Sequence, residues 1–277
     1  MYRMKVYEAP QMSRTSKGRA IVNLLELRPD ERCVEFMPIE DFEKGEHFLV
    51  FATRQGLVKR TSLRLYRNVH RGGLNAVRLN EGDALVGVTW TSGHDHLLLA
   101  TRKGMAIRFA ESDVRPMGRV AAGVKGITLS EDDEVVALVR IGMQEADESG
   151  EQRPEATGVD LLTLTEKGYG KRTDLDEYLV HSEQPDGRVV KRPQSRGGKG
   201  RIDIRVTARN GPVAAARAVT EEDDVVLVTQ GGLLVRIPAS SVSKMGRNTQ
   251  GVRVINLKPG DRLIAAARAA ERDDEDD

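Results

Sequence analysis

The chain has 277 residues, of which 39% are hydrophobic, 31% charged and only 4% aromatic, with a formal net charge of +1. This composition suits a soluble protein whose core is built from Val, Leu, Ile and Ala. Cys33 is the only cysteine, which excludes an internal disulfide framework and fits a reducing cytoplasm. The sequence shows no apolar stretch of about 20 residues and no signal-peptide core, so we expect a cytoplasmic protein without a membrane span.

The near-neutral total hides a segregation of charge. Residues 271–277 carry a net charge of −5 and residues 144–157 carry −4, which leaves +10 on the rest of the chain. A basic body with acidic appendages predicts a polyanionic partner. We expect 144–157 to form an acidic loop and 271–277 a disordered tail. That tail is either simply solvated or competes with the polyanion for the basic surface.

One phrase occurs four times along the chain. An apolar run ends in threonine, glycine follows three residues later, and arginine stands four residues beyond the glycine. The threonines are Thr53, Thr101, Thr165 and Thr229, so the period is roughly 48 to 64 residues. A period near 50 predicts a stacked or circular array in which each unit buries its apolar face against its neighbours. Such an array excludes most enzyme folds.

Each unit predicts four strands. The apolar run indicates a strand covered on both faces, Thr-x-x-Gly a three-residue hairpin loop with glycine in the left-handed region, and the following residues a second strand. A Gly-flanked basic loop with a short strand comes next, and an acidic turn leads into the last strand. Four strands in about 50 residues are typical of a propeller blade. We therefore predict an all-β fold, a β-propeller or β-pinwheel of four-stranded blades.

The predicted blades follow in chain order within a domain of residues 1–270. The first, over residues 1–32, is partial because it lacks the apolar strand and hairpin that should precede it. We expect the chain to begin inside this blade and to leave a strand edge unpaired there. Four full blades are predicted at these positions: about 33–85, 86–140, 158–213 and 214–266.

The arginines that close the four phrases share one pleat phase, because side chains alternate along a strand. They are Arg60, Arg108, Arg172 and Arg236. We expect them to occupy equivalent places in each unit. Two interpretations stay open, contact with the polyanionic partner and a clamp between adjacent blades.

The densest basic cluster covers residues 187–209, with eight Arg or Lys and one Asp. Within it, the loop 194–200 combines two cations with three glycines. Glycine lets the backbone approach a phosphate and frees its N–H groups, while Arg196 suits a bidentate contact and Lys199 a point charge. A nucleotide P-loop would need an upstream glycine, Ser or Thr in place of Gly200, and a following helix. We therefore interpret the loop as a phosphate-backbone site, with a solvated basic loop as the alternative.

This loop resembles the gyrase-A box, the heptapeptide Gln-Arg/Lys-Arg-Gly-Gly-Lys-Gly in the C-terminal domain of the DNA gyrase A subunit. The recurrent phrase and the segments 167–172 and 245–252 are also similar to that family, and the resemblance covers nearly the whole chain except the acidic tail. Ser195 stands where the usual box has Arg or Lys. The box also lies in a later unit than the family's principal box, so it is similar to the second box of some relatives.

The resemblance implies a six-bladed pinwheel that wraps DNA around a basic outer rim and supports ATP-dependent negative supercoiling by the holoenzyme. The implied partners are double-stranded DNA, the rest of the gyrase A subunit, and the gyrase B subunit, in a bacterial cytoplasm at the nucleoid. No catalysis by this chain is implied, because the DNA-cleaving tyrosine belongs to another domain. We expect no cofactor in this chain, since ATP and Mg would act elsewhere in the holoenzyme.

Two alternatives remain for the function. The C-terminal domain of topoisomerase IV, a decatenase, is disfavoured by the intact Arg-Gly-Gly-Lys-Gly core. A protein-interaction propeller should show Gly-His and Trp-Asp pairs, whereas the only tryptophan, Trp90, is followed by Thr91.

We expect DNA to be contacted by the box, by the cations beside it and by cations in the Gly-flanked loops of other units. The predicted DNA-contacting residues are Gln194, Ser195, Arg196, Gly197, Gly198, Lys199, Gly200, Arg201, Lys191, Arg192, Arg71, Arg119, Lys125, Lys171, Arg172, Lys244 and Arg247. No metal site is expected, because no further Cys or His lies at ligand spacing from His94 and His96. Cys33 lacks a histidine partner and is predicted to be a small packing residue.

Overall fold

A computed structural model describes residues 1–13, 16–17, 19–28, 31–43, 45–146, 152–183 and 187–269. Within these ranges the protein consists of β-strands and short 3-10 turns without an α-helix, which confirms the all-β prediction. None of its described helical turns has the length or apolar character to cross a membrane. The predicted tail 271–277 and the middle of the predicted acidic loop, 147–151, lie outside the described residues.

Each of the four phrases folds as an antiparallel hairpin. In all four, the glycine N–H donates to the threonine carbonyl at 3.0–3.1 Å and the glycine φ lies between 79° and 85°, as predicted. This conformation is one that glycine adopts without a steric cost. The hairpin strands are β1 (Phe48–Thr53) and β2 (Leu57–Ser62), β4 (His96–Thr101) and β5 (Met105–Ala110), β8 (Asp160–Thr165) and β9 (Tyr169–Asp174), and β14 (Asp224–Thr229) and β15 (Leu234–Pro238).

Each hairpin becomes a sheet by adding an inner strand beside its first strand, and the first three hairpins also add a two-residue outer strand beside their second. The inner strands of sheets 1 to 4 are β3 (Leu85–Thr91), β7 (Val135–Ile141), β13 (Val213–Val219) and β17 (Leu263–Arg268). The outer strands of sheets 1 to 3 are β6 (Val124–Lys125), β12 (Arg201–Ile202) and β16 (Val252–Arg253). Sheet 4 has no outer strand among the described residues. A separate hairpin joins β10 (Val180–Glu183) to β11 (Val189–Arg192).

The outer strands of sheets 1 to 3 each come from the next unit of the sequence, so these sheets do not coincide with the contiguous blades expected from the repeat. The hairpin glycine makes this exchange possible. A Cβ on Gly104 would lie 2.2 Å from the carbonyl oxygen of Ile204, and the N–H groups of Asp203 and Ile204 donate to the Gly104 carbonyl at 2.9 and 3.3 Å. In sheet 4, by contrast, a Cβ on Gly232 would meet nothing within 4 Å.

The four sheets are arranged as in a propeller, with the inner strands β3, β7, β13 and β17 packed in succession. The starts of the inner strands β7, β13 and β17 are each tied to the hairpin of the preceding sheet. For example, the Val135 N–H donates to the Arg54 carbonyl, and the Val213 N–H to the Arg102 carbonyl, both at 2.9 Å. Apolar side chains fill the space between adjacent sheets, so that β4 and β8 are buried along their whole length, as predicted.

The first 47 residues contain 3-10 turns at Val6–Glu8 and Ile21–Asn23 and, in the part that the structure describes, no strand. Met1 nevertheless occupies a blade-like position. It exchanges two backbone hydrogen bonds with Leu74, of 2.9 and 3.0 Å, in the place that Val58 takes opposite Val124 in sheet 1. Cys33, predicted to be a packing residue, is exposed in this segment, because the chain around it lies on the surface rather than in a sheet.

Candidate nucleic-acid interface

The box loop, residues 194–200, runs between β11 and β12 and bridges sheets 1 and 2. The Gln194 N–H donates to the Arg108 carbonyl at 2.9 Å, and the Gln194 side chain donates to the Tyr178 carbonyl at 3.3 Å. The Gly197 N–H donates to the Gly126 carbonyl at 2.6 Å. Backbone hydrogen bonds to both sheets therefore hold the loop at the outer edge of the propeller.

Thr128 and the box glycines complete this anchoring. The Thr128 hydroxyl donates to the Gly197 carbonyl at 2.6 Å and its N–H to the Gly198 carbonyl at 2.8 Å. Gly200 has a φ of 72°, and a Cβ there would lie 2.4 Å from the Ala106 carbonyl oxygen, whereas Gly198 has no atom closer than 3.6 Å. Gly200 is thus required by the close approach of two strands, and Gly198 is exposed at the surface.

The two cations of the box have different environments. Arg196 is partly buried, and its Nε and Nη1 donate to the carbonyl oxygens of Asp113 and Lys125 at 2.8 and 3.0 Å. Lys199 is exposed, and its side chain makes no hydrogen bond or ion pair with any described residue. We conclude that Arg196 holds the box on its neighbouring loop, while Lys199 presents its charge to solvent.

Further unpaired cations lie on the loop that Arg196 contacts. Arg115, Arg119 and Lys125 are exposed, and their side chains form no hydrogen bond or ion pair within the described ranges. The stem of Lys125 lies 3.9 Å from the place where a Cβ on Gly197 would stand. We call Arg115, Arg119, Lys125 and Lys199 the box strip. Asp113 is an exposed acid in the same segment.

Arg115 of this strip is not among the DNA-contacting residues predicted from the sequence. Arg78 is not among them either; its N–H donates to the Ala121 carbonyl at 3.3 Å, next to the box strip. Arg115 lies two residues beyond the acid Asp113, and Arg67 stands at the same place in the first unit. A charge count along the sequence could have found both residues, although not their exposure.

The remaining predicted residues of the box region are exposed or partly exposed. Lys191 and Arg192 lie on β11, Ser195 is exposed in the box, and Arg201 begins β12 opposite Ala106. Lys191 donates to Asp176 at 2.8 Å, and this hydrogen bond raises the pKa of the lysine.

The loop that precedes β16 is nearly neutral, unlike the box strip. Lys244 lies 2.8 Å from Asp160 and 3.3 Å from Asp174, and the hydrogen bond with Asp160 raises its pKa. Arg247 is partly buried and lies 3.4 Å from Glu177. In the first unit, exposed Arg71 pairs with Glu26 at 2.8 Å.

Lys171 and Arg172 are removed from the set of surface cations, because both side chains are buried, Lys171 on the side of sheet 2 and Arg172 on the side of sheet 4. Lys171 donates to the carbonyls of Asp203 and Gly246 at 2.8 and 2.9 Å, and burial lowers its pKa. Arg172 donates to Asp160 at 3.1 Å, to Glu221 at 3.0 Å and to the Val242 carbonyl at 2.9 Å. A duplex on the outside of the propeller would not reach them.

The clamp interpretation holds for the buried arginines of the repeat. Arg108 donates to the Leu175 carbonyl of the next sheet at 3.0 Å, and Arg60 lies 3.4 Å from buried Glu111. Arg236, in the last sheet, is partly exposed and pairs with Asp224 of its own hairpin at 2.6 Å. These arginines therefore connect successive sheets wherever a following sheet is present.

Of the two histidines at positions 94 and 96, His96 is engaged by a buried arginine. Buried His96 accepts hydrogen bonds from Arg108 at 3.0 and 3.2 Å, and burial together with the Arg108 charge lowers its pKa to about 4. Among the described residues, no group of three or more Cys, His, Asp or Glu is placed to hold a metal ion.

The fold and the box strip together define a β-propeller with a basic outer edge. A sequence model of the family "DNA gyrase C-terminal domain, beta-propeller" matches residues 1–40, 47–89, 95–141, 160–182, 192–220 and 223–270. The chain belongs to this family.

Curated relatives and solved structures agree with this assignment. The DNA gyrase A subunit from Staphylococcus epidermidis is 39% identical over 274 residues, which cover 99% of this chain and 28% of that protein. The DNA gyrase A subunit from Staphylococcus aureus is 39% identical over 276 residues, covering 100% of this chain and 28% of that protein. The chain therefore spans less than a third of the length of these relatives.

Two solved structures share the fold. A crystal structure of the C-terminal domain of DNA topoisomerase IV superposes with a TM-score of 0.78 at 26% identity, covering 95% of this chain and 74% of that one. A structure of the DNA gyrase A C-terminal domain superposes with a TM-score of 0.73 at 24% identity, covering 91% and 75% respectively. The second likeness, at its low identity, supports the fold alone.

Proposed function

We propose that this chain binds double-stranded DNA on the outer edge of the propeller and bends it, as the DNA-wrapping part of a gyrase-type topoisomerase. The observation that carries the proposal is the box strip, whose four cations have no ion-pair partner among the described residues and lie within or beside the glycine-rich loop 194–200. Unpaired cations on a fixed surface suit a regular array of phosphates. The staphylococcal relatives, named as the A subunit of DNA gyrase, support the same role.

The mode of binding follows from the side chains in the strip. Lysine and arginine neutralise phosphates and release counterions, so the affinity should fall steeply with salt and depend little on base sequence. The box glycines add backbone that a phosphate can approach closely. Bending a duplex over a site of 20–30 base pairs costs about 1–6 kcal/mol, which the contacts along the curved edge must offset.

The role within a larger enzyme is part of the proposal. The rest of the gyrase A subunit, together with the gyrase B subunit, would supply DNA cleavage and ATP hydrolysis, and their Mg and ATP would bind outside this chain. A bend of fixed hand would present a neighbouring DNA segment to those parts and so support negative supercoiling. This chain would act without a cofactor of its own, in the bacterial cytoplasm at the nucleoid.

The salt dependence of duplex binding tests the proposal. Wild type should lose affinity with a log–log slope of about −0.9 for each phosphate contacted, and Lys125→Ala/Lys199→Ala should flatten that slope by roughly 2. The matched control is Arg54→Ala/Arg262→Ala, which removes the same charge from turns next to the inner strands. A flat slope for wild type, or equal losses in both double variants, would contradict the proposal.

Decatenation is the second candidate, because a topoisomerase IV domain shares the fold at a TM-score of 0.78. The higher identity to the gyrase relatives favours supercoiling. Reconstituting the full-length protein with its ATP-hydrolysing partner, and comparing supercoiling of relaxed plasmid with unlinking of catenanes, would separate the two.

A further inference from the structure

Two arginines outside the box strip converge on one tyrosine at the hairpin end of sheet 3, and a lysine lies beside one of them. The guanidinium carbons of Arg209 and Arg253 each lie 5.3 Å from the centroid of the Tyr169 ring. Arg253 donates to the Tyr169 hydroxyl at 3.0 Å and Arg209 donates to it at 3.3 Å. Lys167, two residues before Tyr169, donates to the Ala208 carbonyl at 2.5 Å, next to Arg209. We call Lys167, Tyr169, Arg209 and Arg253 the Tyr169 cluster.

No carboxylate pairs with the three cations in the part of the chain that the structure describes. Arg253 has one other side-chain contact, the Asn256 amide oxygen at 3.3 Å. Glu166, the neighbouring acid, is already paired with Arg102 at 2.5 Å. Like charges at this spacing repel each other, and a bound anion would remove that repulsion.

The side chains of the Tyr169 cluster are held in place by the strands and the loop that carry them. Tyr169 is buried at the start of β9, and Arg253 stands directly opposite it on outer strand β16. Arg209 belongs to a loop that buried Asn210 fixes, because the Asn210 amide donates to the Arg205 and Gln250 carbonyls at 3.0 Å. The hydrogen bonds from Arg209 and then Arg253 lower the pKa of Tyr169, which agrees with a positive local potential.

The ligand class follows from these donors. Planar guanidinium groups with free N–H donors match the oxygens of a phosphate, and an ammonium adds a point charge. Arg253 is the second residue of its outer strand, as Lys125 of the box strip is in sheet 1. The Tyr169 cluster therefore lies on the same outer edge as the box strip, but on sheet 3, whereas the strip lies where sheets 1 and 2 meet.

We propose that the Tyr169 cluster is a second phosphate-binding site, which receives a backbone phosphate of duplex DNA where it crosses the third sheet. The inference rests on the DNA binding proposed above and adds a place on the DNA path outside the box. Tyr169 is a positioning residue, since its ring and hydroxyl hold the two arginines.

Duplex binding across a salt series tests the site with the full chain. Arg209→Ala/Arg253→Ala should weaken binding roughly tenfold to hundredfold near 0.1 M salt and flatten the log–log slope by about 2. The control Arg54→Ala/Arg262→Ala removes the same charge at the hairpin ends of other sheets and should stay close to wild type. Unfolding midpoints measured in parallel show whether each variant is folded.

A second measurement observes the site without DNA. In a phenolate absorbance titration, inorganic phosphate should raise the pH at which one tyrosine ionises, compared with chloride at equal ionic strength. Tyr169→Phe should abolish that shift. An unchanged titration in phosphate would contradict the site, because phosphate bound there weakens the two hydrogen bonds that favour the phenolate.

The outcomes separate this inference from the proposed function. If wild type fails to bind duplex, the proposed function is wrong. If wild type binds and the Arg209→Ala/Arg253→Ala variant binds with the same affinity and slope, the inference is wrong and the proposed function stands. Equal losses in this variant and its control would also contradict the inference, since they would reflect total charge alone.

Discussion

The box glycines differ in what they do, and replacing each by alanine should reveal it. Gly200 has a φ of 72°, and an added Cβ would lie 2.4 Å from the Ala106 carbonyl oxygen. A left-handed alanine costs about 1–2 kcal/mol, and displacing the strand adds about 1–3 kcal/mol. We therefore expect Gly200→Ala to lower the free energy of unfolding by about 3 kcal/mol.

Gly198→Ala is the matched control in the same loop. Its added Cβ would meet no atom closer than 3.6 Å, and its φ lies outside the left-handed region. The change should stay within about 0.5 kcal/mol or stabilise the protein slightly. Urea denaturation followed by circular dichroism measures both variants. Equal midpoints for the two would refute the conclusion that Gly200 is required by the docking of the box on sheet 2.

Two further predictions concern buried charges. Arg172→Met should lower the free energy of unfolding by about 3 kcal/mol, because it leaves Asp160 and the Val242 carbonyl without this donor. The control Arg236→Met should lower it by no more than about 1 kcal/mol. Similar losses of unfolding free energy for the two variants in urea denaturation would contradict the clamp role. The pKa of His96 is about 4 in the folded protein, below its value in the unfolded chain. The contribution of neutral His96 to the free energy of unfolding is therefore complete above about pH 6.5 and is lost as the pH falls towards 4. Wild type should therefore lose about 2 kcal/mol more than His96→Asn between pH 7.5 and 5, and parallel losses would argue against this assignment.

The hairpins and the box could be predicted from the sequence because their signals are local. Thr-x-x-Gly specifies a turn through the left-handed glycine, and the apolar runs specify strands buried on both faces. The exchange of outer strands could not be predicted in this way. A strand of two residues, such as Val124–Lys125, has too little periodicity to show its partner, and its pairing with β2 depends on a contact far away in the sequence.

The burial and pairing of individual cations could not be predicted from the sequence either. Lys171 and Lys125 look alike in sequence, yet one is buried between sheets and the other is exposed beside the box. Arg196 and Lys199 lie three residues apart, and the carbonyls that engage Arg196 belong to a loop about 70 to 80 residues away, as the sequence separations of 71 and 83 show. The residue type predicts a basic surface, but only the packing shows which charges remain unpaired.

The central claim is that the outer edge of the propeller bends duplex DNA through its unpaired cations. Religating a nicked circular plasmid in the presence of the chain, and resolving the topoisomers after the protein is removed, tests it most directly. Wild type and Arg54→Ala/Arg262→Ala should shift the linking-number distribution in proportion to the protein bound, and Lys125→Ala/Lys199→Ala should shift it less. A distribution that is the same with and without saturating wild-type protein would contradict the claim.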